Sequence, residues 1–157
     1  MTDARFQDGG EGPLRLVAQD ADDLKVLSAL VQDAVLPVTE MTYDSRRRRF
    51  ALMLNRFRWE DQTQAQAVGR PFERVRSVLV VEDVLAVRSQ GFDRADKDLV
   101  LSLLALDFAP GEDGTGTLTL VLAGDGAVAL QVEALEVRLD DVTRPYRAPS
   151  GRAPAHD

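Results

Sequence analysis

The chain has 157 residues, 45% of them hydrophobic, and a formal net charge of -7, which is the composition of one acidic globular domain. It contains no cysteine, and its only histidine is His156, near the end of a segment rich in proline and alanine. Disulfides, thiolate nucleophiles and cysteine metal sites are therefore excluded. A histidine base or a zinc site is not expected either, so the sequence predicts no metal and no cofactor.

Both ends of the chain have the composition of disordered tails. Residues 1–12 hold glycine and acidic residues with little apolar content, and residues 145–157 are of low complexity. We therefore expect one folded domain over residues 13–144. No apolar run approaches the roughly 20 residues that a membrane span requires, and the first residues lack the apolar core of a signal peptide. These features predict a cytoplasmic protein without a transmembrane segment.

The first predicted elements are a strand and a helix. The segment LRLVAQ, residues 14–19, alternates apolar and polar residues as a strand does. The helix is predicted over residues 20–33, because Asp20 is a good N-cap and apolar residues recur at helical spacing until Pro37 ends the pattern.

The rest of the chain has the pattern of antiparallel strands. VTEMTY and RFALMLNRFRW flank DSRRR, which is typical of a hairpin turn. ERVRSVLVV, DVLAVRSQ, LVLSLLALDF and TLTLVLA follow, and GDG then joins TLTLVLA to a long strand, AVALQVEALEVRL. The apolar phase shifts within that last strand after Val132, which predicts a bulge or a bend.

These elements predict a mainly β, α+β fold with one N-terminal helix and an antiparallel sheet. The short turns favour a small split barrel resembling pleckstrin-homology-like folds, although those folds usually carry their helix at the C-terminus. The strand LVLSLLAL is apolar on both faces, with Leu99, Leu101 and Leu103 on one and Val100, Leu104 and Leu106 on the other. A strand of this kind must be covered twice, so we expect a homodimer.

The basic residues are concentrated in one part of the acidic chain. Nine arginines and three acids lie between residues 46 and 76, a net charge of +6, so the rest of the chain carries -13. Arg46, Arg47, Arg48 and Arg49 are predicted at the hairpin tip. Further along the same strand, Arg56 and Arg58 alternate with the aromatic residues Phe57 and Trp59.

Arginines beside aromatic rings can hold carboxylate or phosphate groups. The predicted site therefore comprises Arg46, Arg47, Arg48, Arg49, Arg56, Arg58 and Trp59. The chain would be a non-enzymatic interaction module that presents this hairpin to an acidic protein surface, a small anion or a second copy of itself. The acidity of the other residues argues against nucleic acid as the partner. The competing interpretation is a solvated hairpin whose arginines pair with the protein's own acids.

An alternative function is a small enzyme that acts on an anionic substrate. Glu82 and Asp83 interrupt an apolar run and are the best candidates for a partly buried acid or base. Catalysis would require one of them to converge on Arg56 or Arg58 in a pocket. The simpler interpretation of Glu82 and Asp83 is a turn between two strands. The aspartate runs and glycine-rich loops match neither cation-binding nor phosphate-binding templates.

Three blocks of the sequence carry a resemblance to a known family. They are LRLVAQDADDLKVLSALVQDAVL, RRRRFALMLNRFRWE and VALQVEALEVRLDDV, in that order. The chain resembles a family of small bacterial proteins classified as a domain of unknown function, family number 2948, over most of residues 14–142. The resemblance implies a single short domain and a cytoplasmic setting. It implies no activity, cofactor or catalytic residue.

Overall fold

The structure is a computed structural model that describes residues 13–61 and 73–144 and the backbone of residues 146–147. Residues 1–12 and most of residues 145–157, the two predicted tails, lie outside the described residues. The polar stretch from residue 62 to residue 72 also lies outside them. Within the predicted C-terminal tail, Tyr146–Arg147 forms a short strand.

The predicted helix is present, and its ends follow from its sequence. Helix α1 spans Ala21–Leu30, and the Asp20 carboxylate accepts a hydrogen bond from the backbone N–H of Asp23 at 2.8 Å. The buried face consists of Leu24, Leu27 and Leu30, at the helical spacing that predicted it.

Strands make up most of the remaining described chain, in agreement with the predicted mainly β, α+β class. The described strands are β1 (Arg15–Ala18), β2 (Ala34–Pro37), β3 (Met41–Asp44), β4 (Arg49–Phe57), β5 (Glu73–Val81), β6 (Val84–Gln90), β7 (Val100–Pro110), β8 (Gly116–Leu122), β9 (Gly126–Val132), β10 (Val137–Asp141) and β11 (Tyr146–Arg147). Short 3₁₀ helices lie at Val38–Glu40, Trp59–Asp61 and Glu112–Gly114.

All of the described strands belong to one antiparallel sheet. Its order is β1-β10-β5-β4-β2-β7-β8-β9-β6, with β3 paired to β4 and β11 paired to β5 beside this path. Both β2 and β3 pair with β4, because β4 is long enough to offer its first half to β3 and its second half to β2. Strands β1 and β6 end the order without pairing with each other, so the sheet is not closed into a barrel.

The long last strand predicted around the GDG turn is two strands. Strand β9 ends at Val132, a turn follows, and β10 begins at Val137 in another part of the sheet. Strand β9 pairs with β6 and β8, whereas β10 pairs with β1 and β5. The shift in apolar phase therefore marks a break between strands, and the predicted bulge within one strand is wrong.

A bulge does occur in β7, and it changes which residues that strand buries. The register with β8 shifts between Leu103 and Ala105, so that Leu106 joins Leu101 and Leu103 in the core. The backbone N–H of Leu106 donates to the Ser28 hydroxyl on α1 at 2.9 Å. The predicted grouping of Leu106 with Val100 and Leu104 is thus wrong, because the prediction assumed unbroken alternation.

The core lies between α1 and the inward face of this sheet, and it draws apolar side chains, mostly leucine and valine, from every strand from β1 to β10. Among the described residues, no helix is long and apolar enough to cross a membrane. Val100 and Leu104 remain 60% and 38% exposed on β7. The homodimer stays a prediction. The uncovered apolar surface on β7 is smaller than the sequence indicated, because Leu106 is buried.

Candidate functional site

Strands β3 and β4 form a hairpin whose turn holds Arg46, Arg47 and Arg48 and is built by Asp44. Strands β3 and β4 pair from Met41 with Leu52 to Asp44 with Arg49. The Asp44 carboxylate accepts from the backbone N–H groups of Arg46 and Arg47 at 3.2 and 3.3 Å, as acidic residues do at the start of turns. Arg48 takes a positive φ of 53°, which reverses the chain.

The four tip arginines differ in how strongly they are engaged by the protein's own acids. Arg49 pairs with Glu82 at 3.0 Å and Arg48 pairs with Glu133 at 2.8 Å. Arg47 is 73% exposed and lies 3.8 Å from the Asp44 carboxylate, which is a loose contact. Arg46 is exposed, and within the described chain no ion pair engages its guanidinium group. Ion pairs with the protein's own acids therefore engage Arg48 and Arg49, whereas Arg46 and Arg47 remain accessible.

Two turns with acidic residues, one at Glu82 and one at Glu133, lie beside the hairpin tip and hold it in place. Glu82 accepts from both Arg49 and Arg138, the latter at 3.2 Å. The backbone N–H of Val84 donates to the Arg48 carbonyl at 2.7 Å, which fixes the tip against the start of β6. The hydrogen bond and the negative charge of Glu82 together raise the pKa of Arg49. The tip is consequently an ordered surface.

Arg56 does not belong to this surface, contrary to the prediction. Its side chain is 0% exposed, because it lies in phase with the buried residues Phe50, Leu52 and Leu54 of β4. The expectation that Arg56 is available to an anionic partner is therefore wrong. The alternation of side chains along β4 could have predicted this burial, because a residue in phase with three core residues points inward.

Arg56 is instead the centre of a buried polar cluster with Glu60, Ser77 and Asp141. Its guanidinium group donates to the two Glu60 oxygens at 2.9 and 2.8 Å, and its Nη2 donates to both Asp141 oxygens at 3.0 Å. Ser77 donates to Asp141 at 2.6 Å and accepts from Arg56 Nε at 3.1 Å. Asp141 also accepts from the backbone N–H of Leu14 at 2.9 Å. The cluster thus connects the start of β1 and the ends of β4 and β10 to the middle of β5.

The electrostatics of this cluster favour a permanently charged arginine. Burial alone would lower the pKa of Arg56, but hydrogen bonds and attraction from Glu60 and Asp141 outweigh it and raise the pKa. One guanidinium faces two carboxylates, and both are nearly fully buried, with side chains 1% and 4% exposed. The charged groups of the cluster that the structure describes are enclosed and pair with one another, which is the arrangement of a structural ion-pair network.

Arg58 and Trp59 are also held by the protein. Arg58 is 4% exposed and pairs with Glu73, so the prediction that it lies on an open face is wrong. The ring of Trp59 meets Phe57 edge-on at 4.6 Å between centroids, and its indole N–H donates to the Gln32 carbonyl at 2.9 Å. These contacts join the end of β4 to the residues after α1.

The acid–arginine arrangement that the enzyme alternative requires is not formed by Glu82 and Asp83. They make the turn between β5 and β6, as the simpler interpretation predicted, and Asp83 has a positive φ of 57°. Glu82 pairs with Arg49, which lies seven residues before Arg56 on β4, a distance of about 20 Å along a strand. The acids that do meet Arg56 are Glu60 and Asp141, in a closed cluster.

Sequence reasoning missed Glu60, Ser77 and Asp141 as the partners of Arg56. Asp141 belongs to a pair of adjacent acids, but adjacency gives no information about which strands meet, and β10 reaches β5 only through long-range pairing. Residues 93–98 form an ordinary turn in which Asp93 accepts from the Ala95 N–H at 2.9 Å. No group of three or more metal-binding side chains occurs among residues 13–61 and 73–144.

Comparison with known proteins gives one match. The family model described as "Protein of unknown function (DUF2948)" matches residues 14–156, which confirms the resemblance drawn from the three sequence blocks. No curated protein and no solved structure matches the chain.

Proposed function

Because the chain belongs to the DUF2948 family, whose function is unknown, we propose a function from its own surface: a cytoplasmic, non-enzymatic binding module. In this proposal the arginine tip, residues 46–48, contacts an acidic patch on a partner protein. Arg49, Arg56 and Arg58 support the fold and are not part of the contact.

The observation that carries the proposal is the exposure of Arg46 and Arg47 on an ordered turn. Both lie at the end of a paired hairpin whose backbone is fixed by Asp44 and by the Arg48–Val84 hydrogen bond. Arginine binds carboxylates through two parallel N–H donors, and a fixed backbone lowers the entropy lost on binding. Solvated arginines that served solubility alone would not require such a fixed turn.

The charge around the tip indicates what kind of anion fits. Residues 44–49, 82–83 and 133–138, the three turns at this end, hold five arginines and five acids. A polyanion such as nucleic acid would meet those acids as well, so it would be repelled within a screening length of about 8 Å. A protein surface with a local acidic patch can reach Arg46 and Arg47 without that repulsion.

The test is affinity capture from lysate with the double variant Arg46→Gln, Arg47→Gln. The matched control is Arg15→Gln, Arg76→Gln, which removes the same charge from two exposed arginines away from the tip. Proteins captured by the wild type and the control but lost with the tip variant are identified by mass spectrometry and titrated against the purified protein.

We expect the purified partner to bind the tip variant several-fold more weakly, with an affinity for wild type that falls as salt rises. Equal affinity for the wild type and the tip variant would reject the proposal and favour the solvated hairpin. Tip-dependent binding of citrate or phosphate with no protein captured would point to a small anion instead.

A further inference from the structure

Strand β6 offers an open sheet edge beside the arginine tip. It is the last strand in the sheet order, and among the described residues it pairs only with β9. Its other side therefore presents backbone N–H and C=O groups without a strand partner. Such an edge is a template on which an extended peptide can add as a further strand.

The open edge begins at the tip itself. The Val84 N–H donates to the Arg48 carbonyl at 2.7 Å, and the Val84 carbonyl accepts from the Tyr43 hydroxyl at 2.8 Å. Both backbone groups of Val84 therefore point away from β9 and toward the hairpin. A peptide that runs along β6 from this point has Arg46–Arg48 at one end.

The backbone groups that such a peptide would meet follow from the register. A β-bulge lies between Val84 and Ala86, after which Val87 is opposite Leu130 and Ser89 is opposite Val128. Alternation in an antiparallel pair then places the N–H and C=O of Val87 and Ser89 on the open side. These two residues can exchange up to four hydrogen bonds with an added strand.

Side chains along β6 provide contacts for the side chains of a peptide. Leu85 is 50% exposed at the end nearest the tip. Arg88 is exposed, and no ion pair engages it within the described residues. A shallow cavity of about 280 Å³ lies beside the strand, and it is lined by Ala86, Val87, Arg88, Thr117, Ala129 and Gln131.

We propose that the partner of the arginine tip supplies an extended acidic segment that adds to the open edge of β6 as a strand. Its carboxylates face Arg46, Arg47 and Arg88, and the methylene groups of those glutamates contact Leu85 and the alanine floor of the cavity, on the same face of the sheet as Arg88. The inference rests on the proposed function, because the same tip arginines fix the end of the segment. The charge at the edge selects this occupant, since Arg88 on β6 and Arg46 and Arg47 beside its start are exposed cations in a chain whose net charge is -7.

The edge also carries features that exclude unselective pairing. A bulge and an exposed charge are the devices by which proteins blunt edge strands against aggregation. Arg88 and the bulge at Leu85 provide both. A basic strand is repelled by Arg88 here, whereas an acidic strand pairs with it.

The experiment compares two synthetic peptides of about ten residues, enough to span the seven residues of β6. In both peptides glutamate alternates with valine. In the second peptide the central backbone nitrogens are all methylated. Methylation removes the N–H groups that would donate to β6 but keeps the negative charge of the glutamates. Binding to the full chain is measured by fluorescence anisotropy. We expect methylation to weaken binding by about tenfold or more, and Arg46→Gln, Arg47→Gln to weaken binding of the unmodified peptide.

Amide hydrogen exchange then locates the peptide. We expect the unmodified peptide to slow exchange at Val87 and Ser89. We also expect Leu85→Ser to weaken binding several-fold, and Val100→Ser, at a more exposed apolar site on β7, to leave binding unchanged. Slowed exchange at β1, the opposite edge of the sheet, would overturn the proposal.

The remaining outcomes separate strand addition from the proposed function. Equal binding of both peptides that still depends on Arg46 and Arg47 overturns strand addition and leaves the proposed function intact. Binding of neither peptide also overturns strand addition, while lysate capture still decides the proposed function. Without peptide, the β6 amides could exchange more slowly as the protein concentration rises. That result would assign the edge to a second copy of the chain and would overturn the acidic segment as its occupant.

Discussion

Arg56 shows how much the same residue type can differ in role within one strand. Arg49 and Arg56 both lie on β4, but one is at the surface and the other is enclosed with Glu60 and Asp141. Two buried carboxylates that share one cation are stable only while that cation is present. The contribution of this cluster to the free energy of unfolding can therefore be measured by replacing Arg56.

We expect Arg56→Met to lower the free energy of unfolding by about 3–5 kcal/mol, because it leaves Glu60 and Asp141 buried without a cation. The measurement is chemical denaturation followed by circular dichroism. The control is Arg88→Met, an exposed arginine whose loss should change stability by about 0.5 kcal/mol or less. A small effect of Arg56→Met would mean that the cluster opens to water.

Neutralising the acids should recover part of that loss. In the triple variant Arg56→Met, Glu60→Gln, Asp141→Asn, no uncompensated charge remains, so we expect it to be more stable than Arg56→Met alone. The comparison uses the same denaturation experiment. A triple variant less stable than the single variant would show that hydrogen bonding to Asp141, from Ser77 and Leu14, outweighs the charge imbalance.

The turn between β3 and β4 could be predicted from the sequence because a turn is a local feature. Asp44 and the run of arginines lie within a few residues of each other, and the turn needs no distant partner. The environment of Arg56 depends on Glu60, Ser77 and Asp141, and the last of these lies 85 residues away. Only the phase of β4 was available to predict its burial, and the adjacent aromatic residues favoured a binding role instead.

Among the elements, α1 and β7 are linked by a hydrogen bond next to the β7 bulge. Leu106 lies beyond the part of β7 that pairs with β2, and Ser28 on the helix accepts from its backbone N–H. This contact links a helix of ten residues to the strand that supplies Leu101, Leu103 and Leu106 to the core.

We predict that Ser28→Ala lowers the free energy of unfolding by about 1–3 kcal/mol, since a largely buried backbone N–H loses its acceptor. Thermal unfolding measures the change, and Ser89→Ala on the edge strand β6 is the control, with little expected effect. An unchanged melting temperature for Ser28→Ala would mean that water replaces the hydroxyl at the bulge.

Elements whose signals are local were predicted well, and those that depend on pairing were not. The helix, the arginine hairpin and the GDG hairpin each carry their own cap or turn residues. Strand β2, four residues between the helix and Val38, was missed, because its only signal is the pairing with β4 and β7. The separation of β9 from β10 was missed for the same reason.

At the scale of the whole molecule, the outward surface of β2 and β7 bears on assembly. Val100 and Leu104 remain exposed there after the bulge has turned Leu106 inward. We predict a homodimer through this surface, and Val100→Ser together with Leu104→Ser should shift it toward the monomer. Light scattering at micromolar concentration measures the mass, and a monomer mass for the wild type would contradict the prediction.

The pairing of β1 with β10 joins the two ends of the described chain. Leu14 and Asp141, separated by 127 residues, exchange hydrogen bonds in both directions. During synthesis, β1 leaves the ribosome long before its partner exists, and the Arg56 cluster lacks Asp141 for the same interval. The sheet therefore reaches its final form only after Asp141 has been made, and such late, long-range contacts slow folding.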